Sequence, residues 1–315
     1  MPSHKHDFRI DFEFTPVEMD EKTRMVTFAV KPNPERYEII EKNGEKIYHD
    51  KFDNNYYPEK FLNKLHENMT GLPIYYSPSK IDDADSYILE RIEDTNDFFD
   101  KKENLLSDSK EELEEFLVDL ENEKLNFVVL SIDLKDSTKM SQELSVELNA
   151  QIISLFISEM TLIITKFNGF RLKPVGDGLI AYFPEPNTIG KVDNALNCAD
   201  MMRNVIIHVI NPLLNDNGLR SLYFKIGIDF GEAIVKNMGI NGINGVNDLI
   251  GETVNIASKI LKLGDSNQIL VGNSVVLKAH TFWRQRLIRF KTSKTWKYKD
   301  KSTGRPYKVY TLNDI

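Results

Sequence analysis

The chain predicts an α+β fold: a ferredoxin-like domain, ordered strand–helix–strand–strand–helix–strand, behind an N-terminal β-rich accessory segment. Three observations carry this. The run F127-V-V-L-S-I132 is almost continuously apolar, as a strand buried on both faces is. Residues 139–167 and 191–213 repeat their apolar positions at helical spacing. Between these, R171-L-K-P-V-G-D-G-L-I-A-Y-F183 sets a Gly-Asp turn between two β-prone runs, a hairpin signal.

Residues 1–90 form the accessory segment. Residues 8–14 alternate polar with apolar, residues 24–30 do the same, and Asn43-Gly44 is a two-residue hairpin turn. Residues 91–124 make an acidic helical connector, with 13 Asp/Glu against 5 Lys/Arg. There Ser109 and Glu112 form a capping box, and Leu113, Phe116, Leu117 and Leu120 follow at helical spacing. Residues 125–315 make the α+β domain. After the second helix come a strand pair at 222–229 and 233–237, a Gly/Asn-rich arm at 238–247, a helix at 253–263 and a strand at 268–271. The tail, residues 284–308, holds ten basic residues and one acidic one, Asp300, and reads as two exposed strands around a turn at 302–306.

The net charge of −8 argues against a nucleic-acid partner. The single cysteine, Cys198, fits a reducing cytoplasm. The N-terminus has no apolar signal core, and the longest uninterrupted apolar runs are too short to span a bilayer, so no membrane association is expected.

Taken alone, Asp177 is a turn aspartate. Asp133 changes that reading. It ends a buried strand just before a helix start, where free backbone N–H groups and the helix dipole favour a phosphate, and where Ser137 or Thr138 can cap. A carboxylate beside a phosphate cradle calls for a divalent cation, and one Asp holds it poorly. The hairpin delivers a second, Asp177. Asp136 reads as a helix-start charge and Asp229 as a strand-end turn residue.

Four segments in order, F127-V-V-L-S-I-D-L-K-D-S-T138, R171-L-K-P-V-G-D-G178, I226-G-I-D-F-G231 and D248-L-I-G-E-T-V-N-I-A-S-K259, resemble the catalytic domain of class III adenylate/guanylate cyclases. The resemblance spans roughly residues 125–275. It implies the nucleotidyl cyclase fold and two divalent cations, Mg²⁺ or Mn²⁺, on Asp133 and Asp177. It also implies base recognition by Lys173 and Asp248, ribose orientation by Asn255, and a transition-state cation at residue 259. The family has arginine there and this chain has Lys259, with Lys262 and Arg220 as substitutes. The implied partners are a nucleoside triphosphate and a second copy of the chain, in a homodimer with shared active sites. Lys173 and Asp248 favour ATP, since adenine offers a ring acceptor and an amino donor. D133-L-K-D-S-T138 also resembles pyrimidine cyclases, which make cyclic UMP or CMP as an antiviral defence signal. A non-catalytic nucleotide sensor is a third reading.

Overall fold

The computed structural model describes residues 9–20, 22, 26–69, 79–99, 120, 122–184, 190–240, 243–301 and 303–313. The acidic segment 100–119, with its expected capping box, lies outside the described residues. The chain divides into two compact units: Met1–Tyr75 with Leu277–Gln285, and Tyr76–Val276 with Arg286–Ile315.

In the first unit, β1 (Phe12–Met19) pairs antiparallel with β2 (Val26–Pro32). β3 (Tyr37–Lys42), β4 (Glu45–Asp50) and β5 (Asn55–Pro58) form a three-stranded sheet, followed by α1 (Glu59–Met69). Asn43 and Gly44 both take positive φ between β3 and β4, as a tight two-residue hairpin requires. Tyr37, Tyr57 and Leu62 make a small core. Residues 277–285 are stitched into this unit by polar contacts. Asp11 accepts from the backbone N–H of Thr281 at 2.9 Å and from its hydroxyl at 2.5 Å. Asp53 bridges the buried Arg36 (3.1 Å) and Arg284 (2.6 Å), and Arg36 also reaches Asp50 at 2.9 Å. A desolvated guanidinium needs such partners.

In the second unit, α2 (Ala84–Thr95) starts at Asp83, whose side chain caps Ser86 N–H. β6 (Lys124–Lys135) leads into α3 (Ser137–Glu143) and α4 (Val146–Lys166). The single helix expected over 139–167 is thus two. Ser145 caps Leu148 N–H and opens a fresh N-terminus. α4 is long and apolar enough to cross a membrane, yet Leu155, Phe156, Met160, Ile163 and Ile164 are fully buried. Its Glu159, also buried, pairs with Arg91 of α2 through two bonds of 2.8 and 2.9 Å. Arg91→Ala strands that carboxylate in the core. The variant is expected to lose about 3–5 kcal/mol of stability, read from urea unfolding against the parent; a loss below about 1 kcal/mol contradicts this account of the pair.

β7 (Phe170–Val175) and β8 (Gly178–Phe183) form the expected hairpin. α5 (Lys191–Val205) runs through a π-turn at Ile206–Ile210 into α6 (Asn211–Asp216). Pro212 lacks the N–H that would donate back into this turn. The strand pair expected at 222–237 is one 18-residue strand, β9 (Tyr223–Ile240), which pairs with β6 without a break from Tyr223 to Ile234. The expected arm is the end of β9 turning back as β10 (Ile243–Ile250). α7 (Glu252–Leu263), β11 (Gln268–Gly272), α8 (Asn273–Lys278), whose last two residues belong to the first unit, β12 (Leu287–Phe290) and β13 (Val309–Leu312) follow. The strand order is β12-β13-β11-β9-β6-β8-β7, with β10 on β9.

Alternation along the two central strands sets one face against α7. On β6 that face carries Phe127, Val129, Ser131 and Asp133; the hydroxyls of Ser131 and Ser258 of α7 lie 3.3 Å apart. On β9 it carries Lys225, Gly227, Asp229 and Gly231. A Cβ on Gly227 would lie 2.4 Å from the backbone of Ala257 and Leu261, so glycine lets α7 lie against the sheet. The tail differs from the expected exposed strand pair. One isolated bridge joins Lys299 to Pro306, and Tyr307 is buried in a cluster with Ile256, Ile260, Leu270 and Val309.

Candidate active site

Asp133 stands near the end of β6 on the α7 face, and Asp177 occupies the β7–β8 turn. Gly176 takes φ +65° in the first central position of that turn, a conformation open to glycine. Gly178 matters through space. A Cβ there would lie 2.3 Å from the Ile132 carbonyl and 2.8 Å from Asp133 Oδ1, so any larger residue would displace the Asp133 carboxylate.

The two carboxylates feel each other. Burial pushes the Asp133 carboxyl up, the negative Asp177 adds to this, and Lys225 and Lys262 pull it back. Asp177 Oδ2 is buried with no hydrogen-bond partner. An orphaned acceptor beside a half-buried carboxylate is the donor set a divalent cation takes. Among the described residues no group of three or more His, Cys, Asp or Glu that could hold a metal ion comes together.

Lys225 was not singled out from the sequence. It lies directly opposite Asp133 in the β6–β9 register. Its only signal was its place just before I226-G-I-D-F-G231. Asp136 is the N-cap residue of α3, at φ 61°, without a side-chain cap bond. Ser137 and Thr138 are the first two residues of α3, and the capping expected of them is absent, because the helix begins at Ser137 itself. Ser137 is half-buried and Thr138 exposed.

Lys173 sits on β7 opposite Ile180, four residues before Asp177. Asp248 sits on β10 opposite Lys236, half-buried, and its Oδ1 accepts from Leu249 N–H at 2.9 Å. Leu249 packs in one cluster with Ile180 and Tyr182 of β8, the strand that pairs with β7. Asn255 and Lys259 are exposed, one turn apart on α7. Lys259 lines a cavity of about 500 Å³ with Lys262, Leu263, Thr295, Trp296, Lys297 and Tyr298. Three ammonium groups beside an aromatic pair, whose ring centroids are 4.8 Å apart, suit a polyanion. Arg220 instead pairs with Glu143 at 3.2 Å. Asp229 is not a turn residue: it is buried within β9, since the strand continues through Phe230-Gly231.

Residues 121–313 match the adenylate and guanylate cyclase catalytic domain family. A cytidylate cyclase of Staphylococcus aureus is 25% identical over 223 residues, covering 68% of this chain and 53% of that protein. A cytidylate cyclase of Escherichia coli is 30% identical over 123 residues, covering 36% of this chain and 27% of that protein. A uridylate cyclase of Rhodovulum sp. (strain MB263) is 25% identical over 171 residues, covering 52% and 70%. The chain thus spans about half the length of the first relative and about a quarter of the second. Among solved structures, the adenylyl cyclase CyaB of P. aeruginosa superposes with TM-score 0.52 at 23% identity, covering 61% of this chain and 96% of that one. The guanylyl cyclase Cya2 superposes with TM-score 0.53 at 21% identity, covering 62% and 95%. These two likenesses show the fold: a nucleotidyl cyclase domain of α+β architecture. With the family match spanning most of the second unit, the chain belongs to the adenylate and guanylate cyclase catalytic domain family.

Proposed function

We propose that the chain is a cytidylate cyclase of the cytoplasm, converting CTP to cyclic 3′,5′-CMP and pyrophosphate. The carrying observation is the Lys173/Asp248 pair taken with the curated relatives. The sequence reading favoured ATP on the strength of this pair. Cytosine, however, presents the same edge as adenine to it: a ring-nitrogen acceptor for the lysine and an exocyclic amino donor for the aspartate. The pair therefore does not separate CTP from ATP, and the relatives are named cytidylate and uridylate cyclases. Uracil reverses both positions, with a ring N–H and a carbonyl, so UTP comes second.

In this reading Asp133 and Asp177 hold two divalent cations, Mg²⁺ or Mn²⁺. These supply activation of the ribose 3′-hydroxyl and charge neutralisation on the phosphates. Lys225, opposite Asp133 on β9, offsets part of the rise that burial and Asp177 impose on the Asp133 carboxyl. The ribose 3′-oxygen bonds to the α-phosphorus as the bond from that phosphorus to the bridging oxygen breaks. Pyrophosphate leaves with that electron pair, and the hydroxyl proton passes to solvent. Asn255 orients the ribose. Lys259 stabilises the charge at phosphorus, with Lys262 in the same cavity, so the missing arginine fork is met by two ammonium groups. The start of α3, with Ser137 and Thr138, offers backbone N–H groups to phosphate. A second copy of the chain completes each site, Asp133 and Asp177 from one and α7 from the other. The product acts as an antiviral defence signal, as the resemblance to pyrimidine cyclases implies.

The test is to incubate the purified chain with Mn²⁺ and each of CTP, UTP, ATP and GTP, identifying products by mass spectrometry. CTP is expected to show the highest kcat/KM, by about tenfold or more over UTP, the scale of one lost base hydrogen bond. A predominance of cyclic AMP, or no cyclic product at all, refutes the proposal.

A further inference from the structure

Asp229 is 2% exposed and projects from the central strand β9 toward α7. Its Oδ1 accepts from the Tyr307 hydroxyl at 2.6 Å. That hydroxyl in turn accepts from Ser274 N–H at 3.0 Å, and the Ser274 hydroxyl lies 2.9 Å away. The space is made for this pair: a Cβ on Gly272 would lie 2.1 Å from Asp229 Oδ1 and 2.7 Å from the Tyr307 hydroxyl oxygen. The Asp229 carboxyl is pushed up to about 7, because burial outweighs the hydrogen bonds from Tyr307 and Phe230 N–H that lower it, and Glu252 adds to the rise.

What surrounds this bond distinguishes it from an ordinary satisfied core pair. Tyr307 accepts at its carbonyl from Trp296 Nε1 at 2.8 Å, and its N–H donates to the Tyr298 carbonyl at 2.8 Å. Trp296 and Tyr298 form one wall of the lysine-lined cavity. Asp229 lies on β9 between Gly227 and Gly231, the positions against which Ala257, Leu261 and Thr253 of α7 pack, and α7 carries Lys259 and Lys262 of the opposite wall. Tyr307, held by Asp229, also packs with Ile256 and Ile260 of α7, so the buried pair touches both walls.

We infer that the Asp229–Tyr307 hydrogen bond is a positioning element of the catalytic centre, holding the Trp296–Tyr298 strap against α7 so that Lys259, Lys262 and Lys297 face one cavity. The inference rests on the cyclase reading for its link to turnover. Displacement of a cavity wall by an ångström costs rate far more than it costs stability.

The test is Tyr307→Phe in the full chain, which deletes one hydroxyl and keeps the ring. With Mn²⁺-CTP the variant is expected to lose about tenfold in kcat with KM within about threefold of the parent, and to keep its thermal midpoint within a few degrees. Calorimetric titration with pyrophosphate reads the cavity without turnover, and the variant is expected to bind it several-fold more weakly. If the parent cyclises no triphosphate, the cyclase reading fails, and weaker pyrophosphate binding by the variant still supports the clamp. A folded variant with parental kcat and pyrophosphate affinity overturns the inference, as does a parent that neither turns over nor binds pyrophosphate. Should Tyr307→Phe not fold, Asp229→Asn keeps an oxygen for the Tyr307 hydroxyl and Asp229→Ala does not. The amide variant is then expected to exceed the alanine variant about tenfold in kcat, and equal rates sink the inference.

Discussion

Asp177→Ala is expected to lower kcat by a factor on the order of 10³ or more, with the fold intact, because it removes one of the two carboxylates proposed to hold the cations. The structure separates this from a folding defect. Asp177 sits in a two-residue turn, and its buried Oδ2 has no hydrogen-bond partner to lose. Its charge also helps push the Asp133 carboxyl up, so the alanine relieves a like-charge contact. The thermal midpoint is therefore expected to stay level or rise near neutral pH, in scans of the cation-free protein. A variant keeping more than about a tenth of parental turnover at saturating Mn²⁺ would remove Asp177 from the site.

Mixing two inactive chains should restore activity from nothing, the second large effect. In the proposed site Asp177→Ala spoils the metal half, and Asn255→Ala spoils the ribose half on α7. If each site draws one half from each chain, a mixed dimer keeps one intact site and carries both lesions in the other. Random assortment makes about half the dimers mixed, so about a quarter of parental activity should return. The measurement is turnover of co-refolded, equimolar chains, with the mixed dimer isolated through two different tags. A pure mixed dimer with no turnover refutes the shared site and leaves the single-chain geometry of Asp133 and Asp177 untouched.

Sequence and structure divide the protein along a physical line. The order of strands and helices, the Gly176-Asp177 turn and the helical run of α7 were legible because they rest on short-range chemistry: apolar period, turn residues and helical spacing. Four such segments in order were enough to indicate the family, and the carboxylate pair was already suggested by a strand end, a helix start and a hairpin turn. Breaks within helices and strands were less legible. Phe230-Gly231 looks like a strand end, yet β9 continues because β6 supplies the ladder partners on one side and α7 packs on its small side chains.

What only the tertiary structure decided depends on residues far apart in the chain. Tyr307 meets Asp229 across 78 positions, which turns a supposed turn residue into a buried anchor and a supposed exposed tail into a cavity wall. Thr281 meets Asp11 across 270 positions, so residues 277–285 belong with the N-terminal unit. Lys225 becomes the cation opposite Asp133 solely through strand register. No local pattern encodes such pairings. They are set by which side chains the closed sheet buries together, and each buried charge must then find a partner in that one arrangement.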